Sequence, residues 1–461
     1  MSELLDLLQV MAGNVWMYGV TFLVVLSILV FVHEWGHYIV AKMCGVKIET
    51  FSIGFGKELF GWNDKSGTRW RFALIPLGGY VKMFGDTDPA SAGSSDIVNG
   101  QHMNANEKSQ AFFAKPVWQR SLIVFAGPAV NFLFAILILS VLFATLGRPV
   151  SAPIVAAVEI GGAADVAGLQ PQDRIVAIDG VAISQFEDVR EKVAIALDTP
   201  LQMLIDRNGA QQTVTVTPVR QEIEDRFGFT HERGLVGIYG PSNGIGLASI
   251  RGVAGQDTDE ADISKTAAML KNKFGAPFKI TLSKADGGKT DVLINPPQDK
   301  NVDLTTTAAQ DPTKTGLMLA ASPNDNKVVY SPVGAIAQGA KVTWSSIKNT
   351  LFAIQQMIMG VRNPTELGGI IRIGAVAGDM AEQGMIALFS FMAMLSINLG
   401  LINLFPIPML DGGHLVFYGI EAARGKPLSD RALEYAFRGG LVILVALMVF
   451  SNLNDILQLV L

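Results

Sequence analysis

The sequence predicts a polytopic α-helical membrane protein: four transmembrane helices, a membrane-associated β-hairpin after the first, and an α+β region inserted between the second and third. Three observations predict it. Hydrophobic residues make up 49% of the 461 residues and charged ones only 17%, against about a quarter charged in an ordinary soluble protein. Four stretches are apolar over the roughly 20 residues that a bilayer-crossing helix needs. Between the second and third, the composition turns to the alternating strands and Gly/Asp turns of a soluble domain. The length allows several domains. A net charge of −5 is too small to suggest a nucleic-acid partner. The lone cysteine, Cys44, excludes an intrachain disulfide and a cysteine metal cluster, so any metal must be held by His, Asp or Glu.

The first span runs from about Val15 to Ala41. Residues 1–14 carry Glu3 and Asp6 but no Lys or Arg, the wrong flank for a cleaved signal peptide, so the span reads as a permanent anchor. The second runs from Ser121 to Gly147, the third from Met385 to Phe405, the fourth from Gly439 to about Leu457. The loop between the first two is rich in bases, from Lys42 through Arg69 and Arg71 to Lys115. Arg424, Lys426, Arg431 and Arg438 lie between the last two. Both chain ends carry acids and no bases. The positive-inside rule therefore places both loops in the cytoplasm, and both termini and residues 148–384 outside. Four regions result: 1–147 with two spans and the hairpin loop, 148–240, 241–330, and 331–461 with an amphipathic segment and two spans.

Within 148–240, AADVAGLQPQDRIVAIDG (163–180) gives a small-residue turn, a strand and an Asp-Gly turn. A helix follows around 187–196. The strands LQMLID (201–206) and QTVTVTP (212–218) are joined through Asn208-Gly209, a hairpin signal. This region resembles a PDZ domain of bacterial membrane and periplasmic proteases at Ala167-Gly168-Leu169, Asp173, Ile175 and Ile178-Asp179-Gly180. It departs at Gln172, where glycine usually precedes that aspartate. In 241–330, IRG (250–252), a helix around 261–273 and PFKITLSKADGGKTDVLINP (277–296) repeat the order of elements, and GLMLA (316–320) answers GLVGI (234–238). A degenerate second PDZ-like unit and a plain insertion are both open. TTTAAQDPTKT (305–315) reads as a surface loop.

The chemistry concentrates in HEWGH (33–37), inside the first span. His33 and His37 are one helical turn apart, so their Cβ atoms lie roughly 5–6 Å from each other on one face. Both imidazoles then reach one zinc at about 2.0–2.1 Å. Glu34, beside the first ligand, is placed to take a proton from a zinc-activated water and deliver it to the leaving amine. Bare HExxH also arises by chance, as two satisfied histidines at a helix end. At membrane depth that reading is weak, because a carboxylate there costs about 2.5–3.5 kcal/mol on insertion scales. A third ligand is required. His102 and His231 are poorly placed, whereas NLFPIPMLDGGH (403–414) closes the third span and offers Asp411 and His414. Its two prolines break the helix, which only a buried or water-lined site tolerates. Asp411 is the best third ligand.

HEWGH and NLFPIPMLDGG together resemble the site-2 protease family of intramembrane zinc metalloproteases, peptidase family M50. The resemblance extends to FSIGFG (51–56), PLGGYVKM (76–83), Gly127-Pro128 with Asn131-Phe132, and the interposed PDZ; it covers nearly the whole chain except 241–330. It implies that His33, His37 and Asp411 bind Zn2+ and that Glu34 is the catalytic base. It implies substrates that are single-pass membrane proteins, among them anti-sigma factors already trimmed outside and leftover signal peptides, cut near the cytoplasmic side of a bacterial inner membrane. RWRFALIPLGGYVKMF (69–84) alternates on both sides of Pro76 to Gly79. It is either a plain cytoplasmic hairpin or one that re-enters the membrane, with Gly78 and Gly79 offering a strand edge to an unwound substrate. Asn398, Asn403 and Pro406 are candidates for substrate contact in the same cavity, and the two asparagines serve equally well as helix–helix contacts. Asn131 supports the site rather than reacting. Outside, Ile238 points into a peptide groove of the PDZ, and that region acts either by peptide binding or by excluding bulky substrates. An inactive PDZ-bearing scaffold is the competing reading, and it has no use for HExxH with Asp411. A zinc transporter would want more polar spans.

Overall fold

The computed structural model describes residues 16–85, 97–98, 101–241, 244–258, 263–284, 287–302, 304, 316–319 and 327–460. Residues 1–14 and the loop expected at 305–315 lie outside them. Among the described residues, four helices are long and apolar enough to cross a bilayer: Met17–Met43, Val117–Thr145, Met385–Asn403 and Asp430–Leu459. The fourth begins earlier than hydropathy suggests, because the polar turns at its start are helical too.

The first of these, α1 (Thr21–Met43), leads into β1 (Ile48–Asn63) and β2 (Arg69–Met83). Here the expected hairpin at 69–84 needs correction. Its two arms do not pair with each other. Residues 50–53 of β1 run between them, facing 82–79 on one side and 69–72 on the other, while 58–63 fold back on 73–69. Alternation fixes which face a residue takes, not which strand it meets. Gly54, Gly56 and Gly78, at φ 88°, 86° and 109°, supply the bends. Phe51, fully buried, seats the sheet on α1: it stacks on Trp70 at 4.3 Å and meets Tyr38 edge-on at 5.6 Å. Asp64 accepts from Tyr38 Oη and Trp70 Nε1, both at 3.1 Å. Burial alone would raise its carboxyl, but hydrogen bonds from Ser66, Trp70 and Thr68 hold it well below the usual carboxylate range. The segment 79–83 is left as one edge of this sheet.

Helix α2 (Val117–Thr145) leads into the inserted α+β region. There β3 (Ala157–Glu159) comes first; β4 (Arg174–Ile178), β5 (Val181–Ala182), α3 (Phe186–Ile195), β6 (Leu201–Arg207) and β7 (Ala210–Val216) then form a first unit. Asn208 and Gly209, both at positive φ, close the β6–β7 hairpin as their pairing predicts. An unforeseen hairpin follows, β8 (Val219–Glu224) with β9 (Thr230–Leu235), and then β10 (Ile238–Tyr239). The second unit has β11 (Ile250–Val253), β12 (Gln256–Asp257), α4 (Ile263–Lys271), β13 (Phe278–Ser283) and β14 (Lys289–Ile294). Its strand order β14-β13-β11-β12 repeats β7-β6-β4-β5 of the first, with the helix at the same point in the chain. Each unit has its own core, and β3 serves both: Val158 enters the first and Ala157 the second. Gln172 bridges them. Its backbone is left-handed at φ 77°, which explains why glycine suits that position, and its side-chain amide donates to Asn295 O at 3.0 Å.

The chain returns through α5 (Pro332–Ile358) and α6 (Ile370–Glu382) to α7 (Met385–Asn403), α8 (Asp411–Arg424) and α9 (Asp430–Val460). Helix α5 lies along α2 and carries the first unit, through Ser345 to Glu191 at 2.6 Å and Gln356 Nε2 to Ile195 O at 2.8 Å. The β8–β9 hairpin docks at its tip. Phe229 is fully buried with Ala375 of α6 and Leu459 of α9, under the Arg372 guanidinium at 5.0 Å. Arg226 pairs with Asp379 at 2.7 Å and donates to Tyr18 Oη at 3.1 Å. Emptying a site of this kind removes about 3–5 kcal/mol. Phe229→Ala is therefore expected to raise hydrogen exchange across 219–235 while leaving bound metal at the wild-type level.

Candidate metal centre

His33 and His37 stand one turn apart on α1, and Asp411 opens α8. The structure brings these three together across the fold. Nε2 of His33 lies 3.2 Å from Nε2 of His37 and 3.2 Å from Asp411 Oδ2, which is 3.5 Å from His37 Nε2. Ligands bound tetrahedrally at about 2.0–2.1 Å sit roughly 3.3–3.4 Å from one another. The spacing fits. Moreover, Asp411 Oδ2 is buried and no well-formed hydrogen bond reaches it, as expected of an atom waiting for a cation. Two imidazoles and a carboxylate form a donor set suited to zinc.

Helix α2 holds both imidazoles from behind. His37 Nδ1 lies 2.9 Å from Ile123 O, and His33 Nδ1 lies 3.1 Å from the amide of Asn131. Between them on the same face is Gly127, where a Cβ would sit 2.3 Å from His37 Nε2. Gly36 plays the reciprocal part in HEWGH, since a Cβ there would come within 2.5 Å of Ala126 O. Trp35, on the opposite side, is 41% exposed and faces outward. The aspartate is set by the broken segment 404–410. Met409 is forced to φ 87°, the kind of local strain that collects at functional sites, and Gly412 lets Leu404 O approach where a Cβ would be 2.3 Å away. Arg120 of α2 fixes α8 through Glu421 at 2.6 Å.

A cavity of about 460 Å³ opens on this group. Glu34 lines it beside His33 and His37. The edge strand Gly78–Val81, Asn403 and Met409 complete much of its wall. Asn398 does not reach it: its Oδ1 instead accepts from Thr350 Oγ1 of α5 at 3.4 Å. Positions five apart on a helix differ by about 140°, so Asn398 and Asn403 face different ways. Pro406 is exposed and outside the lining, and Ile238 lies in the inserted α+β region, half-buried against the first unit's core. Sequence reasoning left out His414, which lines the cavity with its ring 5.4 Å from that of Phe437. It also missed the acceptor role of Ile123. The spacing 123, 127, 131 on one helix face was the available signal.

Alanine is a better helix former than glycine by about 0.8–1.0 kcal/mol, so Gly127→Ala should favour α2 itself. The collision with His37 reverses the benefit at the site. Metal analysis of the purified variant is expected to show strongly reduced occupancy with helix content unchanged.

The family model for peptidase family M50 matches residues 21–447. The chain is 39% identical to a protein of Agrobacterium fabrum that bears a zinc metalloprotease name, over 96% of both chains. It is 36% identical to one similarly named in Rhizobium meliloti, over 99% of both. It is 31% identical to the regulator of sigma E protease of Haemophilus influenzae, over 96% of this chain and 99% of that one. With four membrane-length helices and a His-His-Asp group that suits zinc, the chain belongs to peptidase family M50 and is a multi-pass membrane zinc metalloprotease.

Proposed function

We propose that this protein hydrolyses peptide bonds within the transmembrane segments of single-pass membrane proteins. His33, His37 and Asp411 hold the zinc, and Glu34 is the base. The observation that carries this reading is one cavity that unites the three ligands, Glu34 and the free strand edge 78–81, between membrane-length helices. Zinc held there would supply a Lewis acid for the scissile carbonyl and lower a water's pKa towards about 7. Glu34, in the same cavity, is placed to take a proton from the attacking water and hand it to the departing amine. A substrate helix hides its carbonyls in its own hydrogen bonds, so it must unwind before cleavage. The edge at Gly79 and Val81 then accepts the unwound stretch as an added strand and satisfies its backbone groups in lipid. Asn403 is available for one further hydrogen bond.

The basic loops support a site near the cytoplasmic side of a bacterial inner membrane, with periplasmic termini. The name of the Haemophilus relative supports an anti-sigma factor, already cut outside, as substrate; remnant signal peptides are chemically equivalent candidates. The repeated strand order and the motif at 167–180 support two PDZ-type units outside. We assign them to size exclusion. β10, with Ile238, is an edge strand open to a peptide, yet a folded mass held on α5, α6 and α9 also bars substrates with large external domains.

Glu34→Gln is expected to abolish cleavage of a reporter transmembrane segment while zinc content stays at the wild-type level. Loss of the metal would make Glu34 a ligand instead. An inactive scaffold would show no cleavage even by the wild-type chain. Deleting 151–330 should permit cleavage of substrates with intact external domains. Continued rejection of them by a deletion variant that still inserts and binds zinc would exclude size selection.

A further inference from the structure

The two imidazoles are served differently by α2. His37 meets a backbone carbonyl, Ile123 O at 2.9 Å, which any residue at that position would provide. His33 meets a side chain, Asn131, which is fully buried. We propose that Asn131 is the positioning residue of the metal centre: its side-chain oxygen accepts the Nδ1–H of His33 and so holds the tautomer whose Nε2 is free to bind metal.

The argument rests on the assignment of His33, His37 and Asp411 as ligands. His33 Nε2 is the nitrogen that converges on His37 and Asp411, each 3.2 Å away. To bind a cation it must offer a lone pair, so the ring's proton belongs on Nδ1. Nδ1 then needs an acceptor. Asn131 Nδ2, at 3.1 Å, would set donor against donor, while Asn131 Oδ1 is buried with no partner. Turning the amide over exchanges the two atoms in place and puts the oxygen on the Nδ1–H. Orphaned oxygen and stranded proton are then satisfied by one hydrogen bond. Packing alone does not require this side chain, because the contact of this turn with α7 is made by the backbone: Asn131 O accepts from Ser396 Oγ at 2.8 Å. Such outer partners raise ligand basicity and fix ring orientation, and their loss typically lowers metal affinity about 10–100-fold.

The test uses the full chain in detergent, with zinc affinity read by competition against a chromophoric chelator. Asn131→Leu, similar in size and without an acceptor, is expected to weaken zinc about 10–100-fold. Asn131→Asp, which keeps an acceptor, should stay close to wild type. Undiminished affinity in Asn131→Leu overturns the proposal, as does equal loss in both variants. His33→Ala is the control: if it retains zinc, the ligand assignment fails, whereas loss there with none in Asn131→Leu refutes only the role of Asn131. A reading independent of any Asn131 variant comes from ¹⁵N NMR of histidine-labelled wild-type protein. A protonated Nδ1 with metal on Nε2 of His33 supports the proposal, and metal on Nδ1 overturns it.

Discussion

Two imidazole nitrogens and a carboxylate oxygen meet within 3.5 Å inside an apolar bundle. Without a cation between them this would be a costly arrangement, because a buried charge is tolerated only when paired or bound to metal. Much else follows from keeping those three atoms in place. Helices α1 and α2 must approach at Gly36 and Gly127 so that α2 can back the rings. The segment after α7 must break, so that Asp411 comes forward on a new helix instead of continuing the old one. The broken backbone there is tolerated because it lines a cavity rather than lipid.

The same demand gives meaning to the sheet. A wall made only of helices has no free backbone groups to offer, since each is used within its own helix. Bringing the edge 79–83 against α1 puts unpaired backbone polar groups beside Glu34. The cavity thus sets a candidate metal group beside a strand edge, two things that α-helical packing alone cannot provide together.

The candidate ligands stood out because the local sequence overrides what a membrane favours. Histidines, a glutamate and a proline-broken Asp-Gly-Gly have no reason to sit in spans unless they work there. The four membrane-length helices and the element order of both inserted units were legible from composition and alternation. Pairing was less so. The arms of 69–84 carry a sound strand period, but period is silent about partners, and the central place went to 50–53. The β8–β9 hairpin was overlooked because VRQEIE and THERGL are charged and look like solvated loop; their apolar content sits in the tip, at Phe227 and Phe229. Asn398 was misplaced by simple helix geometry. Asn131 could be read as supporting the site, but which atom it serves depends on a ring nearly a hundred residues away.

The shared strand β3 ties the two units between α2 and α5 together. Its hydrogen bonds lie in the second unit's sheet, while Val158 fills the first unit's core and Ala157 the second's. Neither half is then a self-sufficient foldon, and the pair should open as a single cooperative block.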